Sequence, residues 1–171
     1  MADPATNGAP QKIRIIGFVC ERAYDLDKIM NQSDGTLKAD PDVRLITLPC
    51  SGMVQPGFIE KALDSGAQGA FVMGCVLGDC YFRDGNYIIQ ERIDGTRRPM
   101  VKKKYNREQI GSLWFSRAMK TEELLGTIAQ FKDRVVTFCR ENPDKLPAAK
   151  AKHTPRPTAA AQAAHAARAK E

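Results

Sequence analysis

Four short apolar runs mark the chain: IRIIGFVC at 13–20, VRLITLPC at 43–50, GAFVMGC at 69–75 and IGSLWFS at 110–116. Each is rich in β-branched or aromatic residues, is bounded by Gly, Pro, Asp or Ser, and is apolar at successive rather than alternate positions. That pattern predicts strands buried on both faces. The stretches between them carry helical spacing instead. YDLDKIMNQ (24–32) follows the first run as a helix-like piece. QPGFIEKALDSG (55–66) has Pro56 in a first turn and Gly66 on the C-cap side, with Phe58, Ile59, Ala62 and Leu63 on one face. The connection over 85–108 is broken at DGTRRP (94–99). The last segment is the clearest helix: Thr121 as N-cap, Glu122 and Glu123 in the first turn, then Leu124, Ile128, Phe131, Val135 and Phe138 at helical spacing, with a stop near NPD. Strands alternating with helices predict a small, mostly parallel sheet of about four strands, joined by right-handed crossovers, in one three-layer α/β domain.

Composition changes this picture mainly at the ends. A chain of 171 residues with 43% apolar and 27% charged residues is a globular domain large enough for a real core. No apolar stretch approaches a membrane span, and the opening MADPATNGAPQK lacks the apolar region of a secretory signal, so the expectation is a cytoplasmic protein without membrane insertion. The net charge of +6 is concentrated in residues 145–171, which hold six Lys/Arg against one Glu, 11 alanines and three prolines. Such a tail cannot bury enough surface to offset its ordering entropy and is expected to be disordered or ordered only on a partner. The expected organisation is a flexible N-terminus over 1–11, a folded domain over 12–142 and an Ala-rich basic tail over 143–171. Both histidines, His153 and His165, fall in the tail. The folded stretch therefore has none, which excludes Ser-His-Asp triads, Cys-His nucleophiles and His-containing zinc sites from it.

The cysteines are then the chemistry left to place. Cys20, Cys50 and Cys75 end the first three predicted strands, and Cys80 follows in the loop after Cys75. In a parallel sheet the carboxyl ends of the strands share one edge, the edge where open α/β sheets hold ligands. Cys139 lies on the apolar face of the last helix and reads as core. Four gathered thiolates suit either a structural zinc or an iron–sulfur cluster. Zinc commonly uses pairs of Cys two to four residues apart, and only Cys75–Cys80 comes near that spacing. A cluster accepts ligands from separate loops, and Gly52, Gly74 and Gly78 beside the thiols would let backbone N–H groups approach it. Two other readings compete less well. A thiol enzyme with Cys75 or Cys80 as nucleophile would have no histidine partner. The basic run RRPMVKKKYNR (97–107) holds one aromatic residue, Tyr105, too little for a nucleic-acid stacking platform, so no nucleic-acid partner is expected.

The stretches IIGFVC, VRLITLPCSGMVQPGFIEKALDSGAQGAFVMGC and GDCYFRDGNY resemble the delta, iron–sulfur subunit family of methyl-viologen-reducing hydrogenase over roughly residues 12–140. The family's patterns are GF-x-C, CSG-x-V-x-P-x-F, G-A-D-G-V-x-V-x-G-C and GDC-H-Y-x-x-GN. The resemblance implies a 2Fe–2S cluster held by Cys20, Cys50, Cys75 and Cys80, in a subunit that does no substrate chemistry of its own. It implies electron relay between a hydrogenase or formate dehydrogenase module and the flavin subunit of a heterodisulfide-reductase-like complex. The family commonly carries C-x-x-C after its first strand, whereas this chain reads Cys20-Glu21-Arg22-Ala23. Tyr81 stands where the family usually has histidine.

Overall fold

The computed structural model describes residues 13–143. Five strands make one sheet in the order β2-β3-β1-β4-β5. They are β1 (Ile15–Cys20), β2 (Thr36–Leu37), β3 (Asp40–Leu48), β4 (Gly69–Cys75) and β5 (Ile110–Phe115). β1 pairs in parallel with β3 and with β4, and β4 pairs in parallel with β5. The helices are α1 (Pro56–Asp64), α2 (Gly85–Asp94) and α3 (Thr121–Glu141).

Successive apolar residues in the strands feed two cores, one on each face. Ile15, Val19, Phe71 and Met73 pack with Leu124, Ile128, Phe131 and Val135 of α3. Phe18, Ala70, Val72 and Ile110 pack with Ile59 and Leu63 of α1 and Ile89 and Ile93 of α2. This is the predicted three-layer arrangement, and each large side chain so buried contributes about 1.5–3 kcal/mol. Cys139 lies in the α3-side core, as expected. Gly95 ends α2 in a left-handed conformation (φ +85°), which breaks the 85–108 connection at DGTRRP.

Four local expectations are corrected. The sheet has five strands, because the short β2 pairs antiparallel on the edge of β3. Residues 24–32 hold only a 3-10 turn, Leu26–Lys28. Turn chemistry overrides helical spacing there: Asp34 accepts from the Thr36 N–H, the Gly35 N–H donates to the Asn31 carbonyl, and the chain doubles back into β2. Leu26, Ile29 and Met30 still reach the α3-side core. Thr121 is the first residue of α3 rather than its cap; Lys120 takes the cap position, and the Thr121 hydroxyl hydrogen-bonds the Tyr24 hydroxyl at 2.8 Å. Phe58 is 44% exposed, although Ile59 and Leu63 on the same helix are buried.

The basic run over 97–107 lies against α1 and α2. Lys102 pairs with Glu60 at 2.8 Å, Lys104 with Asp64 at 3.7 Å, and Arg97 with Glu91. Among the described residues no helix is long and apolar enough to cross a membrane. The expected tail, 143–171, lies outside the described residues except for Pro143.

Candidate metal centre

β1 sits between β3 and β4. The chain leaves β1 for β3 on one side and then crosses back to β4 on the other. Loops therefore diverge at the carboxyl ends of β1 and β4, which is where a doubly wound sheet opens a crevice for a ligand. Cys20 and Cys75 are the last residues of those two strands.

The thiols gather there. Cys50 and Cys80 stand 3.9 Å apart, sulfur to sulfur. That is far longer than a disulfide at about 2.05 Å, and close to the roughly 3.8 Å between two thiolates on one tetrahedral metal with about 2.3 Å bonds. Cys75 lies close enough to Cys20 and Cys80 for both to raise its thiol, and the Cys20 thiol faces the Pro49 carbonyl at 3.6 Å. Among the described residues, no three of His, Cys, Asp and Glu cluster closely enough to hold one metal ion. Cys50 likewise has both Cys80 and Cys20 as neighbours, so the four sulfurs lie around one another without closing on a single point.

Local structure aims each thiol. Cys50 caps the 3-10 turn Ser51–Met53, and its sulfur accepts from the Gly52 N–H at 3.4 Å. Cys80 begins a tight turn closed by the Arg83 N–H on the Cys80 carbonyl at 2.8 Å, with Arg83 held at φ +71°. Burial pushes the Cys75 thiol up to about 11, helped by the neighbouring Cys20 and opposed by the nearby Tyr81 N–H. Burial likewise raises the Cys50 thiol, against the pull of the Gly52 N–H. Metal-free, both favour the protonated thiol; only a bound cation supplies the charge that makes them thiolates.

Three observations fit a metal–sulfur group. The donors are all sulfur. The start of α2 is cut away to leave room, since a Cβ on Gly85 would lie 2.5 Å from the Cys50 sulfur and 3.3 Å from the Cys80 sulfur. Beside Cys75, a cavity of about 210 Å³ is lined by Arg22, Ala23, Tyr81 and Arg117, and the Arg22 Nε is buried without a hydrogen-bond partner. Arg22 lies 4.1 Å over the Tyr81 ring, so its cation is held at this edge. Ala23, at the position of the family's second cysteine, is 1% exposed on the wall of the same cavity.

Of the glycines expected near the thiols, Gly52 gives its N–H to sulfur. Gly74 serves packing instead, since a Cβ there would meet Trp114 and Ser51, and Gly78 serves the turn through its φ of +90°. The residue that sequence reasoning missed is Asn86. It is fully buried, and its side-chain amide donates to the carbonyls of Cys75 and Val76 at 3.1 and 2.7 Å while accepting from the Tyr87 N–H. Asn86 pins the exit of β4, and its signal was the GNY that closes GDCYFRDGNY.

The folded region is similar to known proteins over most of its length. The family model for the methyl-viologen-reducing hydrogenase delta subunit matches residues 15–138. The iron-sulfur subunit of an F420-non-reducing hydrogenase from Archaeoglobus profundus is 38% identical over 76 residues, 44% of this chain and 56% of that protein. The vhc iron-sulfur subunit of the F420-non-reducing hydrogenase from Methanococcus voltae is 38% identical over 80 residues, 47% of this chain and 55% of that protein. These matches thus span about half the length of the relatives concerned. One subunit of the ferredoxin/F420H2-dependent CoB-CoM heterodisulfide reductase from Methanosarcina acetivorans is 28% identical over 118 residues, 68% of this chain but 14% of that protein. With the family model covering most of the folded region, the chain belongs to the methyl-viologen-reducing hydrogenase delta subunit family.

Proposed function

We propose that the chain is a 2Fe–2S electron-transfer subunit. In this reading it relays electrons in the cytoplasm between a hydrogenase or formate dehydrogenase module and the flavin subunit of a heterodisulfide-reductase-like complex. The observation that carries the reading is the close approach of Cys50 and Cys80, with Cys20 and Cys75 as their neighbours, in a group too open for one metal ion. Two irons share four thiolates over a wider space, which this open group suits, whereas one zinc needs four donors around a single point. When bound, the cluster takes up and returns a single electron. The chain's own part is to hold four sulfurs, place the Gly52 N–H on one of them and keep the Arg22 cation nearby. A nucleophilic role for Cys75 or Cys50 is disfavoured, because burial raises these thiols rather than lowering them.

The relatives' names support the relay. Two are iron-sulfur subunits of hydrogenases, and in a third the matching stretch is one part of a much longer heterodisulfide reductase component. At the same edge Met53, Val76, Leu77, Tyr81 and Phe82 stand exposed. Soluble domains rarely leave such a patch uncovered, and here it offers an electron partner a docking surface against the thiols. Anaerobic purification with iron and sulfide assays tests the reading. Iron and acid-labile sulfide in equal amounts, with an EPR signal on one-electron reduction, are expected; zinc without sulfide would overturn it.

A further inference from the structure

The sheet is covered unevenly. α1 and α2 pack over β1, β4 and β5, but the first crossover, from β1 to β3, runs on the α3 side. Nothing described then lies over β3 on the α1 side. The result is a groove of about 670 Å³, with Ile16, Phe18, Ile46, Phe58 and Ala62 among its walls. Ile46 is 42% exposed and Phe58 44%, and the Phe18 and Phe58 rings stand 6.0 Å apart as its floor. In a doubly wound sheet this is the place of a helix. Three exposed cations border it: Arg14, Arg44 and Lys61. Among the described residues none of the three is in an ion pair. The one acid on the rim, Asp42, is held by Lys132 at 3.0 Å.

We propose that this groove seats an acidic amphipathic helix of a partner protein, which completes the missing part of the layer. Apolar residues of that helix at i, i+3, i+4 and i+7 would cover Ile46 and Phe58, and its carboxylates would meet Arg14, Arg44 and Lys61. The charge of the rim decides among occupants. The chain's own residues 145–171 carry six Lys/Arg against one Glu and are repelled. A second copy docking by twofold symmetry would set the same three cations against each other. Arg14 and Ala67 on the rim flank the amino ends of β1 and β4, opposite the thiols, so the proposal stands apart from the cluster reading.

The test uses the full chain and two fluorescent peptides of about 15 residues, long enough to turn helical. Both share the same apolar face; one carries Glu and the other Lys elsewhere. Fluorescence anisotropy is expected to show binding of the Glu peptide alone, weakening with added salt. Ile46→Asp or Phe58→Asp should weaken it at least about tenfold, as loss of a buried anchor does. Both positions are exposed, so melting temperatures should be preserved. The double variant Arg44→Glu with Lys61→Glu should exchange the preference and bind the Lys peptide. Equal binding of both peptides, no binding of either, or binding indifferent to Ile46→Asp and Phe58→Asp would overturn the proposal. So would a dimer of the full chain that Ile46→Asp dissolves, because the occupant would then be a second copy.

Discussion

Gly85 opens α2 with its Cα against two sulfurs, and a methyl group there would come 2.5 Å from the Cys50 sulfur. Gly85→Ala is therefore expected to cost most of the bound iron while the far-UV CD spectrum stays that of the parent, which an iron assay beside CD would establish. Arg22 acts on the same edge through charge. Its cation rests on the Tyr81 ring and its Nε lacks a partner among the described residues, so Arg22→Gln should make the proposed cluster harder to reduce, and Arg22→Lys should restore part of the potential. A redox titration followed by EPR reads this with iron content as control. Cys75 supplies a pH dependence. Its thiol is raised from 9.0 to about 11, so the metal-free fold binds a proton that the unfolded chain has already released between those values. That contribution to stability is full below about pH 9 and is lost as pH rises through about 11. Chelator-treated protein should melt progressively lower across that window, and Cys75→Ser should flatten the decline. Cys20, Cys50, Cys75 and Cys80 are legible in the sequence as a group, because each closes or follows an apolar run. Gly85 and Asn86 stand in a recognisable motif, yet their roles are not legible there. Their work is to leave space and to satisfy backbone, and neither has a sequence signature of its own.

The loop between β4 and α2 is held from inside by one amide. Asn86→Ala would take the side-chain donor from the Cys75 carbonyl and leave the Val76 carbonyl with the Asp79 N–H alone, at about 0.5–1.5 kcal/mol for each hydrogen bond lost. The expected outcome is a melting temperature several degrees lower and slower iron loading, measured by thermal denaturation and reconstitution kinetics. On the opposite face, Phe131 of α3 packs edge-on against Phe71 at 5.5 Å and fills the space over Gly111. Phe131→Ala should cost about 3–5 kcal/mol in a denaturant titration without changing the chemistry of the thiols. Helices α1 and α3 are readable because apolar spacing, an early Pro and early acids agree on them. The piece after β1 misleads because Leu26, Ile29 and Met30 have helical spacing while Asp34 and Gly35 impose a turn. Where the two signals compete, the side-chain hydrogen bond of Asp34 to the Thr36 N–H decides locally.

At the scale of the molecule, the two cores and the four thiols found among the described residues come from residues 15–139. A chain ending at residue 143 is expected to keep its melting temperature and iron content within error, with any loss confined to partner binding. Sequence alone determined the alternation of strands and helices, the absence of histidine from the folded stretch and the placing of thiols at strand ends. Those follow from local periodicity, turn residues and composition. Strand order is different in kind. That β1 lies between β3 and β4 is settled by which faces can be buried together, and it is this order that turns three separate strand ends into one crevice. The approach of Cys50 to Cys80, the space left by Gly85 and the bare face of β3 with exposed cations around it arise only there. Each depends on distances between residues remote in sequence, which packing sets and periodicity along the chain cannot encode.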